Sequence, residues 1–372
     1  MNTQCSGGKP NVNLQCHQLD MLMRESAHLA IQVRKLMTLL DDRCRALIAE
    51  LNLGQTQDVI GVTPLTGGVA SDIAKVDLPT GSICVKFALP KLKVSENWEA
   101  PVHRNAAEYA WLELASDVHP KSAVQLFGRS ATQHGFAMEF ISGDDVYLWK
   151  TAMLEGKQPK GEAAAVGDLL GKLHSASTKE AFDATPFQNH DDFFALRLEP
   201  YLLFTATRHP DVADKLSALA THLKAANRVL VHGDVSPKNI LFRESGPIIL
   251  DAECATMGDA SFDLAFCINH LILKAVHVSH IRMELLHSIH EFWNSYARYI
   301  KWEAASVIEE RVCKLLPALM LARVDGKSPV EYLNAEDQSF VRTSAIRLLH
   351  DAPNTLHEFV RNFVTALQKE RQ

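Results

Sequence analysis

The sequence of 372 residues lacks several features that would assign it to a specialised class of protein. It has no run of roughly 18 apolar residues, so we expect no membrane span and no membrane partner. Lys and Arg total 38 against 44 Asp and Glu, and the net charge of −6 comes without a long basic run. That balance argues against a dedicated nucleic-acid binder, which would carry a clustered cationic face. Low-complexity blocks and internal repeats are also absent.

Cysteine is scarce, and its spacing suggests no pairing. The 7 cysteines include no C-x-x-C pair and their number is odd. Cys84, Cys254 and Cys267 lie in apolar runs, where a thiol acts as a small hydrophobic side chain. A chain of this length buries enough surface to fold without disulfides. We therefore expect a reduced protein located in the cytoplasm.

Apolar periodicity distinguishes two segments at the start of the chain. Residues 1–18 have neither an apolar core nor an arginine-rich amphipathic pattern, and we interpret them as a disordered tail. Residues 19–53 have apolar side chains at intervals of three or four residues, which predicts a helical extension. Asp41 and Asp42 could start a second helix within it. We favour a helical pair packed on the next domain; a partner-binding surface that forms a homodimer is the alternative.

The rest of the chain changes from strand patterns to helix patterns. Residues 54–141 contain short β-branched runs, Gly and Pro turns and one helical stretch, which indicates a small antiparallel sheet with a single helix. Residues 142–372 show the period of about 3.6 residues that is typical of helices. Arg228–Leu250 interrupts this pattern with two short apolar runs around a polar loop. The fold class is therefore predicted to be α+β, with the catalytic chemistry in that loop.

The strongest chemical signal is V-H-G-D-V-S-P-K-N-I-L-F at 231–242, followed by I-I-L-D-A-E at 248–253. Phosphoryl transfer needs a divalent cation with oxygen ligands and a carboxylate that orients the acceptor hydroxyl. Asn239 and Asp251 are suited to the first task, and Asp234 to the second. Glu253 points to the same side as Asp251 in an extended run, and a metal between them would relieve their repulsion. A pair of solvated loop acids is the alternative.

A lysine in the predicted sheet is suited to hold a triphosphate. Lys86 lies in the apolar run I-C-V-K-F-A-L-P, where an ammonium group without a partner is costly to bury. The phosphates of ATP and Glu108, on the single predicted helix of this segment, would be its partners. Gly67 and Gly68 form a turn whose backbone N–H groups could approach phosphate. A strand-edge lysine that reaches water and a plain hairpin turn are the alternatives.

These motifs resemble the aminoglycoside phosphotransferase and choline kinase superfamily, which carries H-G-D-x-x-x-x-N where protein kinases carry H-R-D. The resemblance covers residues 58–330 approximately. It implies the protein-kinase-like bilobal fold, with a β-sheet N-lobe at 54–141 and a mainly helical C-lobe at 142–372. It also implies an enzyme that uses ATP and Mg²⁺ to phosphorylate a hydroxyl group of a small molecule.

The same resemblance implies roles for individual residues. Asp234 would be the catalytic base, Asn239 and Asp251 would bind metal, and Lys86 and Glu108 would form the ion pair at the ATP phosphates. Other implied roles are support of the catalytic loop by Asp263 and His232 and contact with adenine by Met138, Glu139 and Ile141.

Residues 94–108 also resemble the tryptophan-bearing loop of methylthioribose kinases, with Glu96, Trp98, Arg104 and Glu108 in similar register. In that group Glu253 would be a second metal ligand. The catalytic loop V-S-P-K-N departs from the histidine and glycine usual there. The identity of the substrate therefore does not carry over from this resemblance.

The acceptor site is predicted on the helical segment near Asp234. Trp98, Arg197 and Arg323 are candidates for acceptor binding, and Arg197 and Arg323 are polar breaks in apolar helices. Surface ion pairs are the alternative for such residues. No dense acidic cluster occurs at 190–330, although a polycationic aminoglycoside would require one. We therefore expect a sugar or an amino alcohol, with a methylthioribose-type sugar or an aminoglycoside as alternatives.

Two rival functions are less well supported by the sequence. A protein kinase would have a long activation segment, but only eleven residues separate Asp251 from Asp263 and no A-P-E follows. A non-catalytic pseudokinase would bind nucleotide without transferring phosphate. The sequence keeps every polar residue that phosphoryl transfer needs, which argues against a pseudokinase.

Overall fold

The computed structural model describes residues 37–65, 70–92 and 100–370. Helix α1 occupies residues 37–50, and α2 is Arg104–Val118. The strands of the first sheet are β1 (Gly61–Pro64), β2 (Ser71–Leu78), β3 (Gly81–Ala88), β4 (Leu126–Ser130) and β5 (Gly135–Glu139). They form an antiparallel sheet of five strands in the order β1-β2-β3-β5-β4. The predicted α+β fold, with a small antiparallel sheet and one inserted helix, is confirmed.

Alternation along β3 gives the sheet two different faces. Val85 points to the face that α1 covers, where it packs in one apolar cluster with Leu47 and Ile48. Lys86 points to the opposite face, where α2 brings Glu108 to it. The strand that completes the core of the sheet therefore also delivers the lysine to the cleft.

Helix α1 runs without a break through Asp41 and Asp42, so the predicted start of a second helix there is wrong. Asp41 instead pairs with Arg45 one turn later, with 2.6 Å between Oδ2 and Nε. Such a pair supports a helix interior rather than a cap. The predicted disordered tail and residues 19–36 of the predicted extension lie outside the described residues.

Most of the remaining elements are helices. Their bounds are α3 (Trp149–Leu154), α4 (Glu162–Ser177), α5 (His190–Phe193), α6 (Phe204–Arg208), α7 (Ala213–Ala225), α8 (Ser261–His277), α9 (Arg282–Ala297), α10 (Ala305–Asp325), α11 (Ala335–His350) and α12 (Leu356–Glu370). A π-helix, Phe194–Leu203, joins α5 to α6 and contains Pro200, which has no N–H for an α-helical bond.

Within the described residues no single helix is long and apolar enough to cross a membrane; Ser261–His277 and Ser279–Ala297 meet that test only as a pair bent by 117°.

Two small antiparallel sheets hold the polar loop. One pairs β7 (Val229–Val231) with β10 (Thr256–Gly258). The other contains β6 (Tyr147–Leu148), β8 (Ile240–Arg243) and β9 (Gly246–Ile249). The two apolar runs predicted around this loop therefore pair with other strands rather than with each other. This arrangement brings residues 232–239 and 250–255 together.

Candidate active site

The H-G-D turn after β7 is fixed by Asp263 from the first turn of α8. His232 N–H donates to Oδ2 of Asp263 at 2.6 Å, and Gly233 N–H donates to Oδ1 at 2.8 Å. Asp263 is fully buried, so these bonds are shielded from water. The predicted supporting role of Asp263 would depend on these two contacts.

Gly233 is required by the turn itself. Its φ of +79° lies in the left-handed region, and a Cβ at this position would lie 2.8 Å from Cβ of Cys254. A side chain here would therefore meet both backbone strain and a clash. Asp234 follows this turn directly, at the start of the polar loop.

His232 links the H-G-D turn to the segment that carries Asp251. Its Nδ1 accepts a hydrogen bond from Asp234 N–H at 3.1 Å, which leaves Nε2–H to donate to the Leu250 carbonyl at 3.1 Å. Burial lowers the pKa of His232, so the ring is neutral at physiological pH, as this bonding requires. The predicted supporting role of His232 would depend on this bridge.

Asp234 keeps one carboxylate oxygen for a ligand. Its Oδ2 is 2.9 Å from Arg197 Nη2 and 3.1 Å from Lys238 Nζ. Burial acts to raise the pKa of Asp234, but Lys238 and then Arg197 outweigh burial and lower the pKa below its usual value. The carboxylate is therefore ionised at neutral pH. No described residue hydrogen-bonds to Oδ1, which suits Asp234 to accept a hydroxyl hydrogen bond.

Asn239 and Asp251 are held next to each other by backbone contacts. Asn239 Nδ2 donates to the Asp234 carbonyl at 3.1 Å, and Leu250 N–H donates to the Asn239 carbonyl at 2.9 Å. Asp251 has a φ of +70°, a conformation that is uncommon outside glycine and is concentrated at functional sites. The structure thus brings these two predicted metal ligands together.

The donor set of this pair can be tested against Mg²⁺. An amide oxygen and a carboxylate are hard oxygen donors, and Mg²⁺ usually takes one or two carboxylates and completes its shell with phosphate and water. The described residues contain no group of three or more His, Cys, Asp or Glu that could hold a metal ion by themselves. The pair therefore fits Mg²⁺ bound together with a triphosphate, and it does not fit an all-protein cage.

Lys86 connects the sheet to the segment that carries Asp251. Its Nζ lies 2.7 Å from Oε1 of Glu108 and also forms an ion pair with Asp251. Burial acts to raise the pKa of Asp251, but Lys86 and then Lys238 outweigh it and lower the pKa. Burial also raises the pKa of Glu108 to about 7, against the effect of Lys86. Lys86, Glu108 and Asp251 thus converge in one cleft between the sheet and the helical part.

Glu253 faces an arginine in this structure. Its Oε2 accepts a hydrogen bond from Arg104 Nε at 2.9 Å, and both side chains are buried. Arg104 also donates to the carbonyls of Ala70 and Leu89 at 2.6 and 2.8 Å. A metal role for Glu253, which stays a prediction, would have to use its other oxygen.

The predicted adenine contacts lie at the end of β5. Met138 is buried, and the Glu139 N–H already donates to the Gln125 carbonyl at 2.8 Å. The Glu139 carboxylate holds Arg243 at 2.9 Å. Among the described residues nothing hydrogen-bonds to the backbone of Ile141. Ile141 thus has a free N–H and carbonyl for a ligand, whereas the Glu139 N–H is occupied.

The predicted acceptor residues lie in different surroundings. Arg197 is buried, and its guanidinium is directed to Asp234 and to the Gly233 carbonyl. Arg323 Nη1 lies 3.3 Å from the Tyr201 hydroxyl. Trp98, Gly67 and Gly68 lie outside the described residues, and their roles stay predictions.

Sequence reasoning missed two contacts of this site. Lys238 lies four residues after Asp234 and pairs with it, and that spacing was the one available signal. The partner of Glu253, Arg104, is 149 positions away in the chain. No local pattern could have indicated that second pair.

Comparison with known proteins identifies the family. Residues 61–299, more than half of the chain, match the model of the phosphotransferase enzyme family known as APH. The chain belongs to this family. The predicted membership of the aminoglycoside phosphotransferase and choline kinase superfamily is thereby confirmed.

Individual kinases are similar to this chain at low sequence identity. It is 26% identical over 223 residues to methylthioribose kinase from Bacillus velezensis, an alignment of 52% of this chain and 55% of that protein. The chain thus spans about half the length of the curated relative it matches. Amicoumacin kinase hAmiN, solved with AMP-PNP, Ca²⁺ and Ami, is 16% identical, with a TM-score of 0.54 over 80% of this chain and 91% of that one.

A choline/ethanolamine kinase family protein from Mesorhizobium loti is also similar in structure. It is 16% identical to this family member, with a TM-score of 0.47 over 90% of this chain and 95% of that one. The similarity to amicoumacin kinase shows that the fold is shared.

Proposed function

We propose that this family member is an ATP- and Mg²⁺-dependent kinase that phosphorylates a hydroxyl group of a small molecule, a sugar or an amino alcohol. The observation that carries the proposal is the convergence of Lys86, Asp234 and Asp251 in one cleft, although they are far apart in sequence. A lysine for the phosphates, an amide and carboxylate for the cation and a free carboxylate oxygen for the acceptor are the parts that phosphoryl transfer requires.

The residues divide the reaction between them. Lys86 binds the α- and β-phosphates, and Glu108 holds its ammonium group in place. Asp234 accepts the hydrogen bond of the acceptor hydroxyl through Oδ1 and takes its proton as the new P–O bond forms. The bond between the γ-phosphorus and the bridging oxygen breaks, and ADP leaves. Mg²⁺ held by Asn239 and Asp251 would neutralise the triphosphate. Because phosphoryl transfer asks little covalent chemistry of the protein, most of the rate would come from positioning and charge neutralisation.

The direct test is an ATP-consumption screen with Mg²⁺ over sugars, methylthioribose, amino alcohols, homoserine and aminoglycosides. We expect ADP release to depend on one class of hydroxyl compound. ATP titration by calorimetry, with and without Mg²⁺, accompanies the screen and separates a kinase from a pseudokinase. Metal-independent nucleotide binding without turnover on any acceptor would contradict the proposal. Turnover with an aminoglycoside alone would contradict the expected acceptor class.

Lys86→Met is expected to raise the Kd for a non-hydrolysable ATP analogue by roughly 10- to 100-fold, because charge-assisted hydrogen bonds contribute about 1.5–3 kcal/mol. Methionine keeps the apolar stem of the side chain and removes only the ammonium group. Calorimetric titration measures the change. The matched control is Lys121→Met, which removes an exposed lysine from the same part of the chain. An unchanged Kd in Lys86→Met, or an equal loss in the control, would show that Lys86 does not bind the phosphates.

A further inference from the structure

One face of α8 leads from the catalytic turn to a buried lysine. This face begins at Asp263 in the first turn of α8, where Asp263 binds the H-G-D turn, and it continues through Phe266, His270 and Lys274 at intervals of about one turn. The rings of Phe266 and His270 are 5.4 Å apart, which places both on this face. Because residues four apart lie on the same side of a helix, Lys274 extends the same face. It lies about 16 Å along the axis from Asp263, at 1.5 Å per residue.

Lys274 is buried, and none of the described acidic side chains pairs with its ammonium group. Its side chain is 1% exposed. In the described part of the chain, its ammonium group forms neither a hydrogen bond nor an ion pair, and Nζ lies 5.0 Å from the centroid of the Tyr332 ring. Lysine is almost never fully buried without a partner, because the charged form loses its hydration. The surroundings of Lys274 therefore indicate what a partner would be.

Those surroundings are cationic and contain polar atoms without partners. Arg323 Nε and the Tyr332 hydroxyl are buried, and neither forms a hydrogen bond with a described residue. Burial, and after it the like charges of Lys150 and Arg323, together lower the pKa of Lys274 to about 7. Glu331, the nearby acid that opposes this effect, is already paired with Lys150. Arg323 Nη1 already donates to the Ser328 carbonyl and, at 3.0 Å, to the Ser328 hydroxyl. The donors that an anion bound here would meet are therefore Lys274 Nζ, Arg323 Nε and the Tyr332 hydroxyl.

Two contacts connect this cluster to the catalytic carboxylate. Arg323 Nη1 is 3.3 Å from the Tyr201 hydroxyl, and Tyr201 lies one turn after Arg197 on the π-helix. Arg197 Nη2 in turn contacts Asp234 at 2.9 Å. The cluster and Asp234 thus lie at two ends of one row of side chains.

We propose that the acceptor carries a carboxylate or phosphate group and that Lys274, Arg323 and the Tyr332 hydroxyl bind this group. This inference rests on the proposed function and narrows it. A sugar acid, a hydroxy acid or a sugar phosphate meets the requirement. A cationic amino alcohol or an aminoglycoside would bring positive charge to an unpaired cation and is disfavoured.

The test compares acceptors that differ only in the anionic group. The pairs are gluconate and glucitol, galacturonate and galactose, and glycerate and glycerol for carboxylates, with ribose 5-phosphate and ribose for phosphate. In each pair kcat/KM is measured by ADP release for the wild type, Lys274→Met and the control Lys301→Met, which removes an exposed lysine. We expect at least one anionic member to exceed its neutral partner by about 10- to 100-fold, the effect of charge-assisted hydrogen bonds. The carboxylate and phosphate pairs distinguish the two sources of charge.

Lys274→Met is expected to remove that preference by raising KM for the anionic acceptor. KM for ATP and kcat/KM for the neutral acceptor of the pair should stay unchanged. Because the substitution removes an unpaired buried cation, the variant should melt no lower than the wild type. A rise in KM at unchanged Tm separates a binding role from a structural one. A neutral or cationic acceptor preferred by the wild type, or a preference that survives in Lys274→Met, would overturn the proposal and leave the kinase function standing.

If no acceptor supports turnover, a binding measurement tests the anion site directly. The shift in Tm is recorded with malonate and with inorganic phosphate for the same three proteins. Protection of the wild type and Lys301→Met, but not of Lys274→Met, supports the anion site even if the kinase function fails. Equal protection of all three proteins, or protection of none, overturns the site.

Discussion

Asp234→Asn is expected to lower kcat by about 10²- to 10⁴-fold, the usual contribution of a positioned general base. Asparagine keeps the shape of the side chain but cannot take the proton of the acceptor hydroxyl. Affinity for ATP should remain, because Lys86, Asn239 and Asp251 are unchanged. The measurement is single-turnover ADP formation with the acceptor identified by screening. Asp214→Asn, which changes an exposed acid on α7, is the matched control.

The same variant has a predicted effect on stability that depends on pH. The pKa of Asp234 is lowered from 3.8 in the folded chain. A carboxyl group whose pKa falls on folding stabilises the protein above its unfolded pKa, and this stabilisation is lost as the pH falls through the folded value. The difference in Tm between wild type and Asp234→Asn should therefore be largest near neutral pH and shrink in acid. Full turnover in Asp234→Asn would refute the assigned role, and a pH-independent Tm difference would refute the linkage.

The side chains that meet in the candidate site could be selected from the sequence because short motifs contain them. H-G-D-x-x-x-x-N fixes Asp234 and Asn239 in one loop, and a lysine in an apolar strand already needs an anionic partner. The structure supplies that partner as Glu108, 2.7 Å away, and adds Asp251. Such residues can be found from the sequence because their neighbours in the chain already show that the charged group needs a partner.

Other features depend on the approach of distant segments and could not be predicted. The strand Ile240–Arg243 was missed because a short run between a loop and a turn has too little periodicity to identify it. Arg197 was expected to bind the acceptor, but the π-helix places its guanidinium on Asp234. The sequence gives no reason to single out Lys274 within its helix; the structure shows that it is buried and that no acidic side chain in the described ranges pairs with it.

Arg104→Ala is expected to lower the free energy of unfolding by about 3–5 kcal/mol, the usual cost of removing one partner of a buried ion pair. The guanidinium donates to Glu253 at 2.9 Å and to the carbonyls of Ala100 and Pro101 at 3.0 and 2.7 Å. Its loss leaves a buried carboxylate and several carbonyls without donors. Urea unfolding measures the change, and Arg129→Ala, which removes an exposed arginine from β4, is the control.

A double-mutant cycle with Glu253→Gln separates the ion pair from the carbonyl contacts. If the pair contributes as its geometry implies, Arg104→Ala should be less harmful once Glu253 is neutral, and the coupling energy should exceed about 1 kcal/mol. A coupling energy near zero would show that Arg104 acts only through the carbonyls. The cycle also tests the metal role predicted for Glu253. If Glu253 is a metal ligand, Glu253→Gln with Arg104 intact should raise the Mg²⁺ concentration needed for half-maximal turnover. If Glu253 is only a partner of Arg104, the same substitution should change stability and leave that concentration unaltered.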